Sequence, residues 1–332
     1  MANIALRNPQ FKYILVPTGA LSTVCVVTID TIQRYVLTKN TIVGTTVNFD
    51  ISELARDYLD MSYNSSYNTE TVTIESVITN YDGLNGTGNV IDTVTFDDVG
   101  FEAYGTFAEG SNPELPFGRS ASTILIPINN GTTPASFTIF APFEEIGKVP
   151  YFAGSGALLT ISYGIKDTSI TLAGLTLNIN RIDCTKYGKG TKVIYINKYG
   201  AQQDLWFFLK KTKSLARKNE GYKSNTITYP TSAPATYTIQ DAPNKVFNTQ
   251  AKQTHKLSSG YYPEFANQYF EELLLSEYVW MERPKKEDPS TNEIIPVKVK
   301  TSSMAFKTSL NDRLVEYSIN FEEAFDYINN IR

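Results

Sequence analysis

Asp92, Asp97, Asp98 and Glu102 crowd four carboxylates into eleven positions, and paired carboxylates are what acid–base chemistry on glycosides requires. Asp97-Asp98 reads instead as a turn-like pair after Phe96, and fold class lends catalysis no support. The tract from Asp82 to Asp92 is rich in oxygen, but Leu84 stands where a calcium loop needs a ligand. The sole histidine, His255, lies in the polar run KQTHKLS and reads as a solvated loop residue, with no nucleophile elbow to complete a triad. Cys25 and Cys184 sit far apart in apolar, strand-like contexts. That excludes zinc-site spacing and suits reduced thiols acting as small hydrophobes. No phosphate-binding loop or dinucleotide fingerprint is present. The expectation is a chain with no catalytic residue, no metal and no cofactor, and so not an enzyme.

Charge offers more. Between Arg181 and Lys223 there are 11 basic and 3 acidic residues, interleaved with Tyr187, Tyr195, Tyr199, Trp206 and Tyr222. Such a mixture suits nucleic acid phosphates and bases. It equally suits a solvated rim or a surface for an acidic neighbour, and the net charge of −4 favours those readings. Residues 1–150 hold 7 basic and 16 acidic groups, net −9, and the remainder holds 23 and 18, net +5. Unlike halves favour head-to-tail association between copies; two domains with ordinary surface bias fit as well.

Strands must position these side chains. The 332 residues are 42% hydrophobic and 19% charged, with 21 Tyr and 18 Phe, a mix that favours strands in about two domains. The stretch 191–215 organises the rest: a β-branched run to Ile196, a turn at Asn197–Gly200, then an apolar run into Lys210, Lys211 and Lys213. Short strand patterns recur at 11–16, 21–29, 32–38, 42–49, 69–79 and 90–96, then at 122–128 and 136–140 around the turn Asn129-Asn130-Gly131. Others lie at 157–163, 168–179, 294–299, 303–307 and 312–321. Residues 49–59 read as a short helix with Asp50 and Glu53 as a capping box, and 265–281 as the longest helix. The expected fold is mainly β with a few helices. Residues 1–150 form a β-sandwich of immunoglobulin-like kind with projecting loops at about 80–118. Residues 151–332 form a second β-rich domain with a central hairpin (191–210), an extended polar arm (214–262) and the helix 265–281. There is no recognisable secretory signal or membrane-spanning run, so a protein made in a cytoplasm is expected.

Three patches carry a resemblance. VIYINKYGAQQDLWFFLKK, FDISELARDYL, and the C-terminal SSGYYPEFANQYFEELLLSEYVWM with IIPVKVKTSSMAFKTSLNDRLVEYSINFEEAFDYINNIR resemble virion structural proteins of phages infecting Bacteroidetes. Within that group they look like a tail ring protein of a crAss-like phage. The patches cover about half the chain and include no catalytic motif. The resemblance implies a β-sandwich-containing subunit of a homo-oligomeric ring in the barrel of a short tail. Such a ring contacts neighbouring tail rings and the portal, surrounds the DNA or cargo channel, and belongs to the virion after synthesis in the host cytoplasm. Tyr199, Trp206, Phe207 and Trp280 are then core or subunit-interface anchors. Lys210, Lys211 and Lys213 are then rim or lumen residues. A baseplate, head-decoration or fibre-attachment protein, or a glycan-binding module, are the alternatives.

Overall fold

Alternation of buried and exposed side chains along 71–81 sets the architecture of the first hundred residues: Val72, Ile74, Ser76, Ile78 and Asn80 turn inward and their neighbours outward. A computed structural model describes residues 1–113, 115, 124–125, 136–153, 158–184, 186, 188–308 and 314–328, with backbone alone at 124, 125 and 137. Most of the expected strand 122–128, the turn Asn129–Gly131, Tyr187 and residues 309–311 lie outside the described residues.

Seven strands form the front part: β1 (Ala2–Ala5), β2 (Phe11–Leu15), β3 (Ser22–Ile29), β4 (Ile32–Asn40), β5 (Thr46–Asp50), β6 (Thr71–Tyr81) and β7 (Val90–Phe101). Five make a sheet in the order β1-β7-β6-β3-β4, antiparallel except for β1 beside β7. The pair β2-β5 packs over its inner face, and Ile14, Val47 and Phe49 meet Cys25, Val27, Ile29 and Ile78 in one core. This is a β-sandwich. The helix α1 (Ser52–Arg56) is shorter than expected and survives because Ile51 and Ala55 are fully buried. Its start is held by Asp50, whose Oδ1 accepts from Ser52 N at 3.0 Å, rather than by a capping box with Glu53.

Every described strand from 124 onward pairs within the back part. β8 (Ile124–Leu125), β10 (Gly147–Phe152) and β11 (Leu158–Tyr163) form one small sheet; β9 (Ser136–Pro142), β12 (Ser169–Leu172) and β13 (Leu175–Ile182) form another. The main sheet has seven strands. These are β14 (Thr191–Ile196), β15 (Gln202–Phe207), β16 (Lys211–Lys223), β17 (Asn244–Ser258), β19 (Val279–Pro284), β20 (Asn292–Val299) and β22 (Ser318–Glu323). Their order is β15-β14-β19-β20-β22-β17-β16, and β18 (Tyr262–Pro263) pairs separately with β21 (Leu314–Val315).

Consecutive strands β15 and β16 occupy opposite edges of this sheet. Laid flat, its edges would stand roughly 29 Å apart, yet the three residues between them reach only about 14 Å. The sheet therefore rolls into a nearly closed barrel. Backbone bonds from Phe208 N to Ser259 O (3.1 Å) and Leu209 N to Ser258 O (3.3 Å) carry the ladder with β17 back to the end of β15. The helix α2 (Asn267–Leu275) supplies Phe270 and Leu273 to the core, where they meet Phe207, Tyr262 and Phe321.

Several expectations change. The helix expected over 265–281 stops at Leu275: Ser276 turns to extended backbone, and the β-branched and aromatic run Val279-Trp280-Met281 becomes a strand paired on both sides. The polar tract expected to hold only brief strand pieces is a long hairpin of 13- and 15-residue strands, while 226–229 and 236–239 contribute one bridge, Thr228 to Thr236. Residues 102–113, expected to project, are stitched in at both ends by Tyr104 N to Lys198 O (3.0 Å) and Ala5 N to Pro113 O (3.3 Å), with only residues 106–111 standing in solvent. Residues 303–307, expected as a strand, have no regular structure.

Candidate interaction surface

The hairpin β14–β15 forms as its sequence dictates. Its strands pair from Thr191 opposite Phe207 to Ile196 opposite Gln202. Asn197 shapes the turn: its buried Oδ1 accepts from Tyr199 N and Ala201 N, both at 3.0 Å, and its Nδ2 donates to Gln203. Gly200 has φ +85 and lies against the Glu102 backbone, where an added Cβ would come within 3.3 Å, so both conformation and space require glycine. Asn197→Ala is expected to cost about 2 kcal/mol in chemical unfolding, because two buried N–H groups lose their acceptor.

Tyr199, Trp206, Phe207 and Trp280 are all buried within the chain. Phe207 belongs to the barrel core, edge-on to Phe270 and Phe321. The Trp206 indole donates to the Tyr163 hydroxyl at 3.2 Å and carries Lys192 over its ring. Tyr199 and Trp280 bind the two parts together. Tyr199 packs edge-on to Phe152 in a cluster with Ala5 and Phe101 of the front sheet. Trp280, with Ile194 and Ile196, is covered by Tyr63 and Tyr67. Tyr67 also donates to the half-buried Asp204, whose carboxyl desolvation pushes up.

Of the carboxylates weighed for chemistry, Asp97 and Asp98 lie within β7 rather than in a turn, Asp92 and Asp97 are exposed, and Glu102 and Asp98 are committed to ion pairs. Glu102 is buried and held by Arg56 (Nε at 2.9 Å) and Arg7; both arginines also reach Glu277 beyond α2, at 2.7 and 3.1 Å. The hydrogen bond to Glu102 holds Arg56 more firmly protonated. Asp98 is buried against Lys12 at 2.7 Å, and burial raises its pKa. Asp82 closes its own loop by accepting from Asn89. His255 corrects the solvated-loop reading. It sits in β17 with its side chain largely covered, its Nε2 2.9 Å from the buried Glu323, which also binds Arg283. The two cysteines are free and buried; burial pushes the Cys25 thiol up to about 11. Among the described residues no group of three His, Cys, Asp or Glu is placed to hold a metal. Nor is any helix there long and apolar enough to cross a membrane.

Lys210, Lys211 and Lys213 are exposed at the root of the long hairpin β16–β17. Alternation puts Lys211 and Lys213 on one face, beside a cleft of about 460 Å³ that Trp206, Leu257, Met281 and Arg283 also line. Lys210 falls on the other face with Lys256 and Glu316. Beyond this root the hairpin leaves the protein. β22 pairs with β17 only from Thr254 to Ser258, and Tyr327 N donates to Ala251 O at 2.8 Å, so residues 244–250 pair with β16 alone. Every residue of β16 is exposed, as are Tyr222, Val246 and Phe247 and, in the tip, Ile227, Tyr229, Tyr237 and Ile239. No family model, curated protein or solved structure matches this chain. Sandwich, rolled sheet and free ribbon define a mainly β, two-part protein whose most unusual surface is an arm.

Proposed function

We propose that this chain is a virion structural protein: one subunit of a ring in the barrel of a short phage tail, joining portal to distal tail around the DNA or cargo channel. The observation that carries the reading is the arm. A two-stranded ribbon is marginally stable alone, and this one extends about seven residues, roughly 24 Å, with apolar side chains in water. A ribbon of that kind needs a covering neighbour. The acidic front and basic back give copies of the chain unlike surfaces, and unlike patches associate heterologously, closing into a ring when the rotation permits. Buried Glu102, Asp98 and Glu323 and half-buried Asp204 are all taken up by partners inside the fold, which suits a scaffold. The resemblance of the hairpin and C-terminal patches supplies the virion and the tail.

Mass photometry and electron microscopy of the purified protein test this. The expected result is closed rings of one stoichiometry that join isolated tails. A strictly monomeric protein at high concentration that also fails to join tails sinks the reading. Immunogold labelling outside the tail barrel would point to a baseplate, head-decoration or fibre role, and a clear glycan-array hit to a binding module.

A further inference from the structure

We infer that the arm of one copy docks on the open face of the front sheet of a second copy. This rests on the ring reading and names the contact that builds the ring.

The arm carries its chemistry on one face. Lys218, Glu220 and Tyr222 share a side of β16, and Lys245 stands directly opposite Tyr222. The register shift after Glu220 brings Phe247 to that side, with the two rings 6.2 Å apart. The result is an exposed aromatic pair between two lysines. Across residues 211–258 there are eight basic side chains against Glu220 and Asp241. In water this face gains nothing from its aromatics, and its free edge strand is a standing template for pairing with another chain.

The front sheet offers the complement. Its inner face is closed by β2 and β5, and the β1–β7 end of its outer face by the cluster around Tyr199. The turn at residues 84–86 covers Val24 at one end of the remaining outer face, and the strip beyond it is open. There Val26 lies between Val36 and Val77, giving a shallow apolar strip continued by Thr95. Beside it Glu75 stands directly opposite Asp97, both exposed. Like charges across a strand pair repel, and among the described residues neither carboxylate has an ion-pair partner. A lysine-flanked aromatic pair laid on that strip would cover the valines and neutralise both carboxylates. The two surfaces lie on different parts of one chain, so the contact is heterologous and each copy still offers one arm and one face. A nucleic acid would engage the lysines and the aromatic pair, but it would leave the valine strip and the facing carboxylates of the front sheet uncovered.

Charge reversal on the full chain tests the contact, since all four charged side chains are exposed and their exchange leaves the core intact. By sedimentation velocity, Lys218→Glu/Lys245→Glu and Glu75→Lys/Asp97→Lys should each weaken self-association about tenfold or more. The quadruple variant should return to within about threefold of the natural sequence. Reversal variants that assemble like the natural chain overturn the docking and leave the ring standing. A natural chain that stays monomeric overturns both. If the lysine reversals abolish binding to a DNA duplex while self-association is untouched, the arm serves nucleic acid and the docking is wrong.

Discussion

Phe270→Ala is expected to lose about 4 kcal/mol of unfolding free energy, the cost of deleting a large ring from a packed interior. Phe270 is fully buried, and its ring meets Tyr317 at 5.0 Å, Tyr262 at 5.5 Å and Phe207 at 6.3 Å. Those partners come from the C-terminal segment, the stretch after the arm and the central hairpin. The cavity would therefore open where three distant pieces converge on α2, and none can move in without dragging its own strand. Tryptophan fluorescence in urea is the measurement, because both tryptophans, Trp206 and Trp280, lie in the rolled sheet and report on it. Phe107→Ala, at a fully exposed ring, is the control and should change nothing measurable. A loss below about 1 kcal/mol at Phe270 would mean that the barrel interior is not packed around it.

What the sequence could reveal follows from which residues are half-buried. Strand β6 was legible because one face meets a core and the other does not, which writes a period of two into the residues, whereas β3 was legible from its run of β-branched residues. The hairpin at 191–210 was legible from its β-branched run and Asn197–Gly200 turn, both local signals. The arm was not. Solvent covers both its faces, so no alternation marks its strands, and the pairing of Lys211 with Leu257 bridges 46 positions. The helix was overextended because Tyr278 and Trp280 continue an apolar pattern that helix and strand share. Only the pairing of Val279–Met281 with β14 and β20 decides it. At the candidate surface the carboxylates were visible as a cluster but their assignments were not. Glu102 is read by Arg56 and Arg7, and Asp98 by Lys12, all partners that only the fold brings near. The four aromatic anchors were identifiable by type, whereas their division between the barrel core and the junction depends on which strand faces which part.

Glu272 gives the second large effect, as a pH dependence. Its carboxylate is buried in α2 beneath the Asn197 turn, among Tyr195, Tyr269, Tyr199 and Tyr104. Gln268 donates to Oε1 at 2.9 Å and Lys198 N to Oε2 at 3.4 Å. Burial outweighs these two donors and the nearby Lys198 charge, and pushes the carboxyl from 4.5 up to about 7. Between those values the folded chain holds a proton that the unfolded chain has released. Stability from this group is therefore complete below about pH 4.5 and is lost as pH rises through 7, on the order of 3 kcal/mol in all. Glu272→Gln has no proton to lose and should remove that decline. Other raised groups, Asp98 and Asp204, bend the profile the same way, and lowered ones such as Glu109 bend it oppositely. The informative quantity is therefore the difference between variant and natural chain, in which these cancel. Urea unfolding from pH 4 to 8.5 should show that difference growing in the variant's favour from about pH 4.5 and levelling off above 7. A difference that stays flat across the range would mean that Glu272 titrates like a solvated carboxylate, and that water reaches the turn at Asn197 that anchors the central hairpin.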